Sequence, residues 1–336
     1  MESPSTAQIS SSLELPCLAI HRAEDRSTVL LSLPNKKLVE DADILVPLTN
    51  KTILPTARGY VLARDPASLA TFLYSPQSRR KIDLPPLAID QDLLMDYNCL
   101  LSGEPTDPGC VVLLVETDAA FIWYVRVAGD TRWQRHEYDI GSQPYDADDP
   151  TLLEKSVIVP IAACRGKFYF NPTPTGMGVI DFSASPSGGP PAFGSVAAGY
   201  DYDYDDDDER GHGTVASVFL VESEGALYMV NLLSEAADMH TVTGFSVDVM
   251  DFEKSSTATR WRRVDDLGGR AFVLSLFYFG ASCEGGRLRG DCVYVAYPVA
   301  RKLQVFDVKD GSMETHNLDQ AQAPAASDKA FWVLPS

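Results

Sequence analysis

Short apolar runs of four to eight residues recur along the chain, rich in Val, Ile, Phe and Tyr and bounded by Gly, Asp, Asn or Pro. That is the pattern of β-strands ending in turns, and long amphipathic helical spacing is missing. Several runs face each other across turns with a recognisable mechanism. Val305–Val308 is expected to meet Ser312–His316 through Asp310-Gly311, a pair that accepts the positive φ angles of a type I′ hairpin. Val218–Glu222 similarly faces Ala226–Leu232 across Gly225, and Ile158–Ala163 faces Lys167–Phe170 across Arg165-Gly166. The fold class predicted is all-β, built from antiparallel hairpins.

The hairpins repeat. A run containing an aromatic, then a turn and a closing strand, occurs as Phe72–Tyr74 with Ile82–Leu84 and as Ile122–Tyr124 with Trp133–His136. It returns as Phe245–Phe252 with Trp261–Val264 and as Leu303–Val308 with Met313–His316. From Ser75 to Gly129 to Phe182 the intervals are 54 and 53 residues, from Asp251 to Lys309 58, and from Phe182 to Asp251 69. A period near fifty residues with about four short strands in each is the sequence mark of propeller blades. A β-sandwich or two unrelated β domains stays open as the alternative, because the repeats match in pattern and not in identity. The prediction is a single β-propeller over residues 14–336 with about six blades, five and seven being compatible with the same spacing. Leu15–His21 and Thr28–Leu33 at one end, and Phe331–Leu334 at the other, would close the last blade and remove an open strand edge.

Two segments fall outside this pattern. Residues 1–13 are polar and are expected to be disordered. The long interval contains a span at about 183–213, which opens on Ser185-Pro186-Ser187-Gly188-Gly189-Pro190-Pro191 and closes on Tyr200–Tyr204, Asp205–Asp208 and Glu209. Its Gly, Pro and Asp content predicts a disordered acidic loop.

Composition narrows the function classes. With 45% hydrophobic residues the chain of 336 residues can bury a substantial core. Its longest apolar stretch, Ala271–Phe279 interrupted by Ser275, falls short of the ~20 residues that cross a bilayer as a helix. The N-terminus lacks the basic start and apolar core of a secretory signal, so an intracellular location, cytoplasm or nucleus, is expected. Cys17, Cys99, Cys110, Cys164, Cys283 and Cys292 are scattered and show no C-x-x-C spacing. They are expected to be reduced thiols; only Cys283 and Cys292 are close enough in sequence to suggest a pair. A formal charge of −19 would repel a phosphate backbone, and Arg79–Lys81 and Arg260–Arg263 are too short as basic clusters to reverse that. Neither nucleic acid nor a membrane is an expected partner.

No motif of a common chemistry is complete in the sequence. Asp201, Asp203 and Asp205 have the alternate spacing of a calcium loop, but Asp206 stands where glycine is needed and His212 where glutamate is needed. His21, His136, His212, His240 and His316 form no H-E-x-x-H pair. Gly244–Asp248 lacks the second glycine of a nucleophile elbow, and Arg165-Gly166-Lys167 lacks the upstream glycine of a phosphate loop. Asp65, Asp181, Asp248 and Asp307 could line a central channel, where propeller glycosidases place their acids, or could equally be turn residues at strand ends. Trp123, Trp133, Trp261 and Trp332 could anchor a partner, but Trp133 and Trp261, at equivalent repeat positions, read better as packed between sheets. No catalytic, cofactor-binding or metal-binding residues are assigned, no cofactor is expected, and the chain is not read as an enzyme.

Several segments carry a resemblance: Ser78–Leu87, Arg165–Phe170, Gly178–Phe182, Phe219–Val230, Arg260–Phe272 and Asp291–Val295. In this order and spacing they resemble the plant F-box-associated β-propeller family of the kinase-interacting (KIB) type, over nearly the whole chain from Leu15 to Ser336. The resemblance implies a propeller and, in many members, the substrate-recruiting role of an SCF ubiquitin ligase. That role needs an N-terminal F-box helical bundle, and here fourteen residues without helical apolar spacing precede the first predicted strand. The expected function is therefore a monomeric protein-interaction propeller without the F-box, with an unidentified protein partner and no Skp1-type adaptor. The alternative is a glycan-binding or hydrolytic propeller acting at the central channel.

Overall fold

In the computed structural model the described residues are 15–22, 24, 27–32, 37–39, 46–89, 97–144, 151–173, 175–184, 189–200, 214–235, 238–252, 259–275, 279–284, 288–297, 302–317 and 329–335. Their one helical element is a 3-10 turn, Val46–Leu48; the rest is strand and turn. The first strands are β1 (Cys17–His21), β2 (Thr28–Ser32) and β3 (Lys37–Val39). A second group is β4 (Thr52–Pro55), β5 (Val61–Arg64), β6 (Thr71–Tyr74) and β7 (Lys81–Leu84). The third is β8 (Tyr97–Leu101), β9 (Val111–Glu116), β10 (Phe121–Arg126) and β11 (Gln134–Glu137), followed by a ribbon of β12 (Ser142–Pro144) and β13 (Leu153–Lys155). The fourth is β14 (Ile161–Cys164), β15 (Lys167–Thr173), β16 (Gly176–Asp181) and β17 (Ala192–Tyr200). The fifth is β18 (Thr214–Ser223), β19 (Ala226–Glu235), β20 (Asp238–Asp251) and β21 (Thr259–Arg263). The last comprises β22 (Arg270–Ser275), β23 (Phe279–Glu284), β24 (Cys292–Tyr297), β25 (Lys302–Asp307) and β26 (Met313–Asn317), and the chain ends on β27 (Lys329–Val333).

Each group is an antiparallel meander, with two departures. In the last group β22 runs parallel to β24, and β23 folds back onto the inner side of β22. The fourth and fifth groups are fused into one eight-stranded sheet, because β17 and β21 pair in parallel at Ala198–Tyr200 and Thr259–Trp261. The C-terminal β27 pairs with β1, Trp332 opposite Leu18, so both chain ends share a sheet. Counted this way, the strand groups among the described residues number six.

The strands are buried on both faces, which tells how the sheets are stacked. In β9, Val111, Leu113 and Val115 join one core cluster, while the alternate Val112 and Leu114 join another. Ala271 and Val273 likewise face the first sheet, and Phe272 and Leu274 the fifth. There are six such clusters, one between each sheet and the next, including the last with the first. The innermost strands touch in the same cyclic order: β27, β4, β8, β14, β18, then the β22–β23 hairpin and back to β27. Sheets packed face to face in a closed ring are a β-propeller. Each fully buried Val, Leu, Ile or Phe contributes about 1.5–3 kcal/mol of transfer free energy, so stability lies between the sheets.

Two expectations need correction. The span 183–213 is not a disordered loop throughout: Ala192–Tyr200 is a strand, paired along Asp181–Gly176 on one edge and with β21 on the other. Phe193 stacks on His136 and Tyr138 at 5.6 Å from each, and Ala198 is buried, which the flanking Gly, Pro and Asp obscured. Residues 185–188 and 201–213, including Asp201, Asp203 and Asp205, lie outside the described residues, as do residues 1–13. The turn at Asp310-Gly311 is not type I′, since only Gly311 has positive φ and its N–H donates to the Asp307 carbonyl in a longer loop. Arg165-Gly166 and Glu224-Gly225 instead have positive φ at both turn positions, the signature of that turn. All six cysteines are free, and Cys283 and Cys292, the pair nearest in sequence, both sit opposite Ala271, on either side of β22. Two strand spacings put them about 9–10 Å apart, beyond disulfide reach.

Candidate functional site

The inner strands surround a narrow central channel that opens to solvent. Every strand group contributes to its wall: Pro55 and Arg58 from the second, Tyr97–Leu101 from the third, Ile161–Ala163 from the fourth, Glu222 from the fifth, Ser275, Phe279 and Gly280 from the last, Ala330 and Phe331 from β27. Small side chains are common on this wall because six strands converge there. At Gly280 a Cβ would stand 2.8 Å from the Leu220 carbonyl oxygen, so glycine lets β23 approach β18.

The strands β4, β8, β14 and β18 all end on one face of the ring, and their turns meet there. Arg58 Nη1 lies 3.6 Å from Glu104 Oε1, and Nη2 lies 3.6 Å from Glu222 Oε2. Because β4 and β18 are three places apart in the ring, the Arg58–Glu222 pair spans the bore. Glu222 Oε1 also accepts the Gly225 N–H at 2.8 Å, and the Gly225 carbonyl accepts Arg165 Nε at 2.8 Å. Further round, Ser223 and Ser282 share a hydrogen bond of 2.8 Å, and Arg270 reaches Glu224 at 3.1 Å. The other end of the channel is bordered by Tyr97, Ser275 and Phe279. The Tyr97 hydroxyl donates to Glu116 at 2.9 Å; burial and that carboxylate push its pKa up.

The four aspartates considered for the channel are elsewhere. Asp65, in the turn after β5, accepts Lys51 Nζ at 2.9 Å and the N–H groups of Ala67 and Ser68, with Lys51 foremost in holding it below the usual carboxylate range. Asp181 ends β16, where Lys167 at 2.7 Å and Ser183 lower its pKa to about 2. Asp248 is fully buried on β20 against Arg263 Nε at 2.9 Å, and its burial raises its pKa. Asp307 ends β25 and caps its own turn by accepting the Lys309 N–H. None sits on the innermost strand of its sheet, and none lines the channel wall.

Trp133, Trp261 and Trp332 follow the packed reading, while Trp123 is half-buried against the core between the second and third sheets. Trp261 lies between the fourth and fifth sheets, Trp133 between the second and third, and Trp332 between the last and first, its indole N–H donating to the Leu274 carbonyl at 3.0 Å. All six cysteines are buried, and burial pushes the Cys164 and Cys283 thiols up to about 11. Among the described residues no three His, Cys, Asp or Glu side chains are grouped to hold a metal ion, and no helix is long and apolar enough to cross a membrane.

Two features escaped the sequence reading. Arg58 and Glu222 occur in runs that look like any turn and any strand end, with no spacing to link positions so far apart. The other is the ribbon β12–β13, whose strands, among the described residues, are bonded to each other and to no other strand and are exposed at every position. It presents Leu152 and Leu153 at 53% and 65% exposure.

The KIB1-4 beta-propeller family model matches residues 23–319. This chain belongs to that family. A search of curated proteins finds no match. Among solved structures the chain is similar to a nidogen/laminin complex, at 10% identity, TM-score 0.37, and coverage of 92% of this chain and 96% of that one. It is also similar to Citrobacter koseri AztD, at 12% identity, TM-score 0.33, covering 92% and 74%, and to Kuenenia stuttgartiensis hydrazine synthase, at 8%, 0.35, covering 86% and 76%. Likeness at these scores says nothing about function.

Proposed function

We propose that this KIB1-4 family propeller is an intracellular binding module that holds a protein partner and carries out no reaction of its own. The observation that carries this reading is the β12–β13 ribbon. A two-stranded ribbon is marginally stable in water by itself, and this one bears two adjacent exposed leucines and, among the described residues, pairs with no other strand. A partner surface laid over Leu152 and Leu153 would supply the missing cover and gain their apolar area. The competing reading, a glycan-binding or hydrolytic propeller, asks for two convergent carboxylates in the channel. The channel wall described above offers Glu222, already engaged by Arg58 and the Gly225 N–H.

The test is a Leu152→Ser, Leu153→Ser double variant compared with the unaltered chain by proximity labelling in cells that express the protein. Both side chains are solvent-exposed, so the thermal midpoint should stay within a few degrees, while at least one protein labelled by the unaltered chain should be lost. An identical set of labelled proteins would remove the ribbon as the binding surface.

A further inference from the structure

We propose that the open edge of β13 receives an extended segment of a protein partner as an antiparallel third strand, with apolar residues beside Leu153 and cationic residues beside Glu154. This rests on the reading of the β12–β13 ribbon as the partner surface and states how the partner is held. The ladder fixes which backbone groups point outward. Ser142 stands opposite Lys155, Gln143 opposite Glu154 and Pro144 opposite Leu153, and the Ser156 N–H donates to the Gly141 carbonyl at 2.9 Å. Hydrogen-bonded and non-hydrogen-bonded pairs alternate along an antiparallel ladder. Gln143 and Glu154 therefore bond to each other, while Ser142, Pro144, Leu153 and Lys155 turn their backbone groups away from the ribbon's centre. On the β12 side proline has no N–H to donate. On the β13 side Leu153 and Lys155 each present an N–H and a carbonyl, and among the described residues no strand pairs with them there. Both strands are exposed at every position, so this edge is open to solvent.

The edges of β7, β11 and β26 differ, since each closes a sheet of four or five strands. The ribbon has two, and a third strand with an apolar face is what an isolated hairpin lacks. Side chains set the class of segment. They alternate across a strand, so Leu153 and Lys155 share one face and Glu154 lies on the other, where Gln143 Nε2 donates to Glu154 Oε1 at 2.8 Å. A strand laid along β13 brings alternate residues beside Leu153, which is 65% exposed, and the residues between them beside Glu154. Apolar side chains gain by covering the leucine, and cations gain beside the carboxylate. From Asp139 to Glu154 the sequence carries Asp139, Asp146, Asp148, Asp149 and Glu154 and no Lys or Arg. An acidic segment would be repelled there, and a basic one steered in. Opposed residues of an antiparallel pair share a face, so the apolar residues of the segment are the ones whose N–H groups turn toward β13.

The experiment uses the full chain and a fluorescein-labelled, end-capped octapeptide of alternating valine and lysine, read by fluorescence anisotropy at about 0.15 M salt, where long-range attraction is screened. Saturable binding of one peptide per chain is expected. N-methylation of the valines should weaken it at least ~10-fold, and N-methylation of the lysines less than ~3-fold. Glutamate in place of every lysine should weaken it at least ~10-fold. Lys155→Pro removes an outward N–H, and should bind at least ~10-fold more weakly than Lys155→Thr, which loses the same charge and keeps the N–H. The N-methyl pair is read on the unaltered chain, so it decides even where proline unsettles the ribbon. Absence of saturable binding, equal effects of the two N-methylations, a glutamate peptide that binds as tightly, or Lys155→Pro binding as Lys155→Thr does would each overturn the proposal. In cells, a protein whose labelling is lost with the Leu152→Ser, Leu153→Ser variant should also be lost with Lys155→Pro. Loss with the leucine variant alone overturns strand addition and leaves the ribbon as the partner surface. Peptide binding as expected, with labelling unchanged in the leucine variant, leaves strand addition and removes the leucines as the surface used in cells.

Discussion

At the scale of single residues, the most consequential polar group is Asp248. Its side chain is fully buried, held by Arg263 at 2.9 Å, with Asn231 and Ser246 on the same network. Burial raises its pKa despite the arginine. A raised pKa means that the native state binds the proton more readily than the unfolded chain does. The carboxyl's contribution is therefore most favourable at acid pH and is lost as pH rises from the ordinary carboxylate range through the raised value. Arg263→Ala removes the partner and leaves a buried carboxylate uncompensated, which should cost about 1–3 kcal/mol at neutral pH. The cost should shrink as the pH is lowered and the carboxyl takes up its proton. Urea melts of the variant and the unaltered chain across that range would show it, and a pH-independent difference would contradict it. The sequence marked Asp248 as a candidate for chemistry; its burial on a third strand makes it part of a packed interface, a distinction that composition and spacing do not carry.

At the scale of elements, the alternation of apolar positions was sufficient to place most strands and their partners. The repeated aromatic hairpins correspond to the two outer strands of their groups, with Leu73 opposite Ile82, Ile122 opposite His136, Met250 opposite Trp261 and Leu303 opposite His316. Turn types were less legible, because a non-glycine residue such as Arg165 or Glu224 adopts positive φ only when both strands pin its neighbours. Gly178 shows the same dependence on context. It stands opposite Phe170, whose buried ring covers the space where a Cβ would be. Gly178→Ala would overlap that ring and force it off its position in the core, so a loss of about 1–3 kcal/mol is expected in denaturant melts. A neutral result would mean that the third and fourth sheets can separate without cost.

At the scale of the whole molecule, closure is the decisive event. Strand β27 is the innermost strand of the first sheet and touches both β22 and β4, so it completes two of the six cores at once. A chain ending at residue 328 would bare the edge of β1 and uncover Leu18 and Ile20, leaving an unpaired apolar strand. It should lose its cooperative thermal transition and aggregate, as read by circular dichroism and size-exclusion chromatography, and added peptide 329–336 should restore the transition. A truncated chain that still melts cooperatively near the original midpoint would show that the ring does not depend on its closing strand. The sequence by itself determined the all-β class, the repeat near fifty residues, the strands that close the ring and the family, because these depend on local alternation and on spacing along the chain. Only the tertiary structure decided that Ala192–Tyr200 is a strand, that four aspartates lie off the channel, and that Arg58 meets Glu222 across it. Each of these depends on which sheets become neighbours when the ring closes, and side chains 164 positions apart leave no periodic trace of meeting.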